Sequence, residues 1–107
     1  MESMKKLDSK FHASKLRKNC AEVSTLLRAL SHPSRLMILG HLIEGEKSVS
    51  EIQKLCGISQ SQVSQFLSRM KLENLVVSSR MGRNQYYAAA DTRLVTLVLT
   101  LQSLYCK

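Results

Sequence analysis

No apolar run in this chain of 107 residues approaches the ~18 residues that a membrane-spanning helix needs. The opening MESMKKLDSK carries basic residues but no apolar stretch of the secretory-leader kind. A soluble, cytoplasmic chain is therefore expected, in a compartment that keeps thiols reduced. Cysteine is sparse: Cys20, Cys56 and Cys106 are spaced as neither a disulfide framework nor a CxxC zinc pattern. A glycine-rich phosphate loop, a nucleophile elbow and a Cys/His pair with a supporting acid are all missing, which argues against an enzyme. Acids are scarce as well. Eight Asp and Glu stand against sixteen Lys and Arg, a formal net charge of +8, so an anionic polymer or surface is a natural partner.

What is present suits one domain. The length allows a core of modest size, and 44% hydrophobic residues is too many for a disordered chain. Residues 1–9 read as a disordered N-terminal tail and residues 10–107 as the folded domain. Lys5, Lys6, Lys10, Lys15, Arg17 and Lys18 crowd the first twenty positions, a run read as a solvated terminus.

The organising stretch is Ser48 to Leu75, SVSEIQKLCGISQSQVSQFLSRMKLENL. Ser48 stands three residues before Glu51, and Ser59 three before Gln62. Each pair has the spacing of a capping box, in which the Ser hydroxyl takes an orphan N–H and the Glu or Gln reaches back to the cap. Gly57 between them can take the positive φ that ends a helix. Helix, short glycine-containing turn and second helix make a helix-turn-helix. In the second helix, about Gln60 to Glu73, Val63, Phe66, Leu67 and Met70 form one apolar stripe. The other side carries Gln60, Ser61, Gln62, Ser64, Gln65, Ser68 and Arg69, with no acid before Glu73. Amides and hydroxyls of this kind can donate to phosphate and read base edges in a major groove, whereas a merely solvated helix mixes Glu with Lys.

Around that motif the chain reads as follows. A helix from about Ser9 to Leu30 places Leu16, Cys20, Val23, Leu27 and Leu30 on one side, the seam of a helix packed along another. Ser31-His32-Pro33 restarts the chain into a second helix ending near Ile43. Its lone His32 and His41 read as structural. Val76–Arg80 and Gln85–Ala89 flank a Gly/Asn turn and make a β-hairpin. Placed directly behind a helix-turn-helix, the hairpin is a wing, with Arg80 and Arg83 aimed at a phosphate strand or a minor groove. From Ser59 to Arg83 four basic residues (Arg69, Lys71, Arg80, Arg83) face one acid, Glu73. The last helix, from Thr92 to about Cys106, is apolar on nearly every side, and so small a domain cannot cover it. A second copy is the expected cover, giving a two-fold homodimer. Leu16, Val23, Leu27, Leu94, Leu97, Val98, Leu101, Leu104 and Tyr105 are its expected interface. Two such recognition helices would read a pseudo-palindrome with half-sites ~34–36 Å apart.

Three segments resemble the ArsR/SmtB family of bacterial winged-helix regulators: Leu30–Leu36 (LSHPSRL), Ser48–Ile52 (SVSEI) and Ile58–Leu67 (ISQSQVSQFL), with the hairpin continuing the likeness. The resemblance spans about Val23 to Cys106. It implies an α+β, mostly α, winged helix-turn-helix of about five helices and a hairpin, dimeric. It also implies a repressor that holds double-stranded operator DNA and releases it on induction. On that resemblance the DNA-contacting residues are Ser59, Gln60, Ser61, Gln62, Ser64, Gln65, Arg69, Arg80 and Arg83.

The family's metal-sensing members carry a thiolate box where this chain has Lys47-Ser48-Val49-Ser50-Glu51, and no His follows Asp91. No metal or other cofactor is expected. The ending Leu104-Tyr105-Cys106 is similar to the thiol-sensing branch typified by HlyU-like and BigR-like regulators. In that branch a C-terminal cysteine and one on the second helix become bridged by oxidants or reactive sulfur species. The resemblance thus implies release of DNA controlled by thiol oxidation or reactive sulfur. Cys106 matches the C-terminal cysteine; Gly40 stands at the second-helix position, and Cys20 is the substitute partner. Cys56 reads as a small buried hydrophobe. A winged helix used for protein contact alone would carry acids on the polar face or lack the hairpin. A regulator of the same family with a non-thiol inducer stays open.

Overall fold

A computed structural model describes residues 12–106. The expected tail, residues 1–9, lies outside them. In chain order the elements are α1 (Ala13–Arg17), α2 (Cys20–Leu30), α3 (Pro33–Glu44), β1 (Lys47–Ser48), α4 (Val49–Cys56), α5 (Gln60–Leu72), β2 (Val76–Met81), β3 (Asn84–Ala89) and α6 (Thr92–Tyr105). The strands form one antiparallel sheet in the order β1-β3-β2. Its register pairs Lys47 with Tyr87, and Val76, Ser78 and Arg80 with Ala89, Tyr87 and Gln85. This is the winged helix-turn-helix that the resemblance implied.

Local chemistry sets most boundaries. Ser48 Oγ accepts from the Glu51 N–H at 3.2 Å, and Glu51 Oε1 accepts from the Ser48 N–H at 2.9 Å. Ser59 and Gln62 repeat the arrangement at 3.1 and 3.2 Å. Gly57 ends α4 at φ 67°, where a Cβ would crowd the backbone. His32 caps α3: its Nδ1 accepts from the Ser34 N–H at 3.1 Å, and its ring lies 5.0 Å from that of Phe66. His41 Nδ1 sits 3.3 Å from Glu44 Oε1.

Two expectations are corrected. Over the described residues the helix expected from Ser9 to Leu30 is two helices, broken at Lys18-Asn19; positions 9–11 lie outside them. Asn19 leaves helical geometry at φ −112°, ψ 11°, with no side-chain hydrogen bond capping the helix that follows. No residue of α1 is buried, so packing does not hold the two pieces in line. Second, Glu44-Gly45-Glu46-Lys47, which by sequence is a loop leading into the motif, ends in β1 (Lys47–Ser48), which adds a third strand to the hairpin.

The core gathers Ala29, Ile38, Leu39, Leu42, Ile52, Val63, Leu67, Met70, Val76, Tyr87 and Leu94. It lies under the helix-turn-helix and clamps α5 against α3, α4 and the base of the sheet. Leu94, expected at a dimer interface, is 2% exposed within a single chain and belongs to this core. It is the first apolar residue of α6 and points inward because Asp91 Oδ1, accepting from the Leu94 N–H at 3.0 Å, fixes the first turn there.

The end of α5 is a Schellman turn. The Leu75 N–H donates to the Met70 carbonyl at 2.9 Å and the Asn74 N–H to that of Lys71 at 3.0 Å, with Asn74 at φ 62°. Asn74→Val is expected to lower stability by about 1–2 kcal/mol, the cost of a left-handed β-branched residue, and Asn74→Gly to leave the melting temperature equal or higher. Thermal unfolding of the two variants checks this.

Candidate nucleic-acid interface

Helix α5 is held by one side and open on the other. Val63, Leu67 and Met70 are fully buried and Phe66 half-buried beneath His32. Because these positions repeat at i, i+3, i+4 and i+7, their burial turns the rest of the helix outward. Gln60, Ser61, Ser64 and Gln65 are all exposed, and none makes a side-chain hydrogen bond to another described residue. Four groups that can both donate and accept thus share one open face.

The remaining expected contacts are placed less freely. Ser59 Oγ accepts from the Gln62 N–H and stands 3.2 Å from Gln62 Oε1, which also takes the Ser59 N–H. Both oxygens serve the helix cap, and the Gln62 amide N–H groups are what remains for a ligand. The same kind of cap holds the Glu51 carboxyl below its ordinary range, chiefly through the Ser48 backbone N–H. Arg69 Nε lies 3.4 Å from Glu73 Oε2. A pair with its cation so exposed contributes little, so the guanidinium can leave it for a phosphate.

Register assigns the hairpin its two faces. Ser78 and Arg80 on β2, with Tyr87 and Gln85 opposite them, share the face that meets the core through Val76 and Tyr87. Val77, Ser79 and Met81 look the other way. Arg83 sits at the tip beside Gly82, whose φ of 65° makes the turn. Both arginines are exposed, so wing and α5 present their free cations and amides from adjoining elements. A contact that sequence did not reveal joins the two: the Lys71 ammonium donates to Ser78 Oγ at 2.7 Å. Seven residues and a Schellman turn separate the partners, so no helical or strand period flags them.

A second surface is apolar. Leu16 is 46% exposed, Leu27 53%, Leu104 63% and Tyr105 81%, with Val23, Leu97, Val98 and Leu101 half-buried. Cys20 and Cys106 are both exposed on these elements, while Cys56 is partly covered and its thiol is pushed up by burial. Cys106 shares a groove of about 540 Å³ with Leu36, Met37, Gly40, Leu101 and Tyr105. A Cβ built on Gly40 would meet nothing within 4 Å, so packing does not require glycine there. The Cys20 end of α2 lies by the other end of α6, where Glu22 Oε1 is 3.2 Å from Arg93 Nη1. Among the described residues no group of three or more His, Cys, Asp or Glu could hold a metal ion, and no helix is long and apolar enough to cross a membrane.

Comparison with known proteins agrees with this geometry. A family model described as bacterial regulatory protein, arsR family, matches residues 32–78. The biofilm growth-associated repressor of Xylella fastidiosa is 35% identical over 91 residues, covering 85% of this chain and 80% of that protein. The crystal structure of the transcriptional repressor BigR from Xylella fastidiosa superposes with a TM-score of 0.85 at 33% identity, over 91% of this chain and 99% of that one. A solution structure of the homodimeric winged helix-turn-helix DNA-binding domain Mb0332 from Mycobacterium bovis gives a TM-score of 0.75 at 27% identity, over 89% and 88% of the two chains.

Proposed function

Because the chain belongs to the ArsR family of bacterial transcriptional regulators, a DNA-binding family and not one of enzymes, we propose that it represses transcription by holding a pseudo-palindromic operator as a homodimer. The observation that carries this is the open face of α5: Gln60, Ser61, Ser64 and Gln65 exposed together while Val63, Leu67 and Met70 are fully buried. The Gln65 and Gln60 amides and the Gln62 N–H groups read base edges; the Ser61 and Ser64 hydroxyls reach edges or phosphates. Ser59 stays in the cap and orients the helix end. Arg69, Arg80 and Arg83 neutralise phosphates. The exposed apolar residues of α1, α2 and α6 meet their copies across a two-fold axis, which sets two α5 helices about one turn of DNA apart, ~34–36 Å. A relative with the same fold is described as homodimeric, which supports that arrangement.

The thiol response is assigned to Cys20 and Cys106, linked across the two-fold. Within one chain the Glu22–Arg93 pair sets the Cys20 end of α2 at the start of α6. Cys106 follows the end of that helix, thirteen residues past Arg93 and so ~20 Å along its axis. A disulfide needs Cα atoms within ~7 Å. Both thiols lie on the surface that a second copy would cover. One thiolate attacks hydrogen peroxide, breaking its O–O bond, and becomes a sulfenic acid as hydroxide leaves. The second thiolate attacks that sulfur and expels its oxygen as hydroxide while the S–S bond closes, and each hydroxide takes a proton to become water. The link would hold α2 and α6 in a spacing that sets the two α5 helices out of step with the groove.

Selection from random duplexes is expected to return an inverted repeat bound by two chains. On that duplex Arg83→Ala should weaken binding to every sequence and reduce the salt slope by about one. Gln65→Ala should relax preference at particular base pairs at a cost of about 1–3 kcal/mol. Selection of no motif at all counts against the assignment. For the thiols, peroxide treatment followed by non-reducing mass analysis should show a covalent dimer that Cys20→Ser or Cys106→Ser abolishes. A linked monomer contradicts the trans arrangement, and three free thiols leave the inducer to another chemistry.

A further inference from the structure

The Lys71–Ser78 contact, at 2.7 Å, is the shortest hydrogen bond between two side chains among the described residues, and its donor is charged, which strengthens it. It is also the side-chain hydrogen bond that crosses from α5 to the hairpin. Lys71 stands one residue before the end of α5 and Ser78 in the middle of β2. As far as Ser79 the hairpin is well held: Val76 and Tyr87 are in the core, and β1 pairs with β3 at Tyr87 and Tyr86, which face Ser78 and Ser79. Beyond that pair, Arg80 and Met81 pair only with Gln85 and Asn84. The outer end of the wing is therefore a lever whose base lies beside Ser78, where Lys71 grips it. Gly82 lies four residues beyond Ser78, roughly 13 Å of strand, so a tilt of about ten degrees moves the tip by roughly 2 Å. A displacement of that size is enough to take Arg83 off a phosphate oxygen.

The structure assigns Lys71 and Ser78 a positioning role: they form a strut that sets the angle of the wing to the recognition helix, so that Arg83 reaches DNA while Gln60 to Gln65 occupy the major groove. Lys71, counted by sequence only in the basic balance of residues 59–83, is on this assignment committed to a contact within the protein. The ordinary alternative is that Lys71 is a phosphate anchor that rests against Ser78 when DNA is absent. The two differ at Ser78, which an anchor does not need. The strut rests on the proposal that the hairpin contacts DNA.

The test is operator affinity across a salt series for wild type, Ser78→Ala, Ser78→Thr, Arg83→Ala and the Ser78→Ala/Arg83→Ala double variant, with melting temperatures alongside. Ser78→Ala is expected to weaken binding about three- to tenfold, the worth of one hydrogen bond, and Ser78→Thr to restore it. In the Arg83→Ala background Ser78→Ala should cost nothing further, because the strut acts through the tip. Wild-type affinity in Ser78→Ala, with Arg83→Ala weakened, overturns the strut and leaves the wing intact. A Ser78→Ala loss that persists in full without Arg83 also overturns it, as a defect not transmitted through the tip. Unchanged affinity in Arg83→Ala removes the DNA-contacting wing and the strut together.

Discussion

Helix α5 is committed by three side chains. Val63, Leu67 and Met70 are removed from water completely, each contributing on the order of 1.5–3 kcal/mol of transfer free energy. Rotating the helix by even one residue's turn would expose one of them and press an amide or hydroxyl into the core, where it would lack a partner. The orientation of Gln60, Ser61, Ser64 and Gln65 toward solvent is thus a by-product of packing. Positions that stabilise nothing are left free to touch something else. The two capping boxes complete the constraint by fixing where α4 and α5 begin, and Gly57 at φ 67° fixes the turn between them.

The rest of the molecule divides its apolar residues between two needs. Those of α3, α4, α5 and the base of the sheet close one core. Ala29 and Leu30 at the end of α2 join that core, but the outward residues of α1, α2 and the outer half of α6 do not close anything within a chain: Leu27, Leu104 and Tyr105 are more exposed than buried. Here the +8 charge and the exposed apolar surface have a common resolution. In the proposed dimer a second copy covers the apolar side, and the two polar α5 faces with their wing arginines are brought to one side, opposite a polyanion.

Much of this was legible in the sequence, because its signals are local. Ser48/Glu51, Ser59/Gln62 and Gly57 announce their caps within four residues, the hairpin lies in the alternation around Gly82, and the stripe on α5 repeats at the helical period. What the sequence concealed depends on contacts distant in the chain or on partners. The break at Lys18-Asn19 arises where a periodic seam has no core to pack against. β1 is two residues long and exists only because β3 passes beside it. Leu94 shares its period with the residues proposed at the interface, and only the Asp91 cap turns it inward. The Lys71–Ser78 bond spans a helix end and a turn, so no helical or strand period flags it.

The central claim is that the open face of α5 lies in the major groove of two half-sites on one side of the duplex. Methylation interference tests it directly, because guanine N7 is displayed only in that groove. On a selected operator, methylated guanines that block binding should fall in two clusters centred about one helical turn, ~10–10.5 base pairs, apart, related by the symmetry of the site. A single cluster, or binding indifferent to N7 methylation everywhere, would contradict the account.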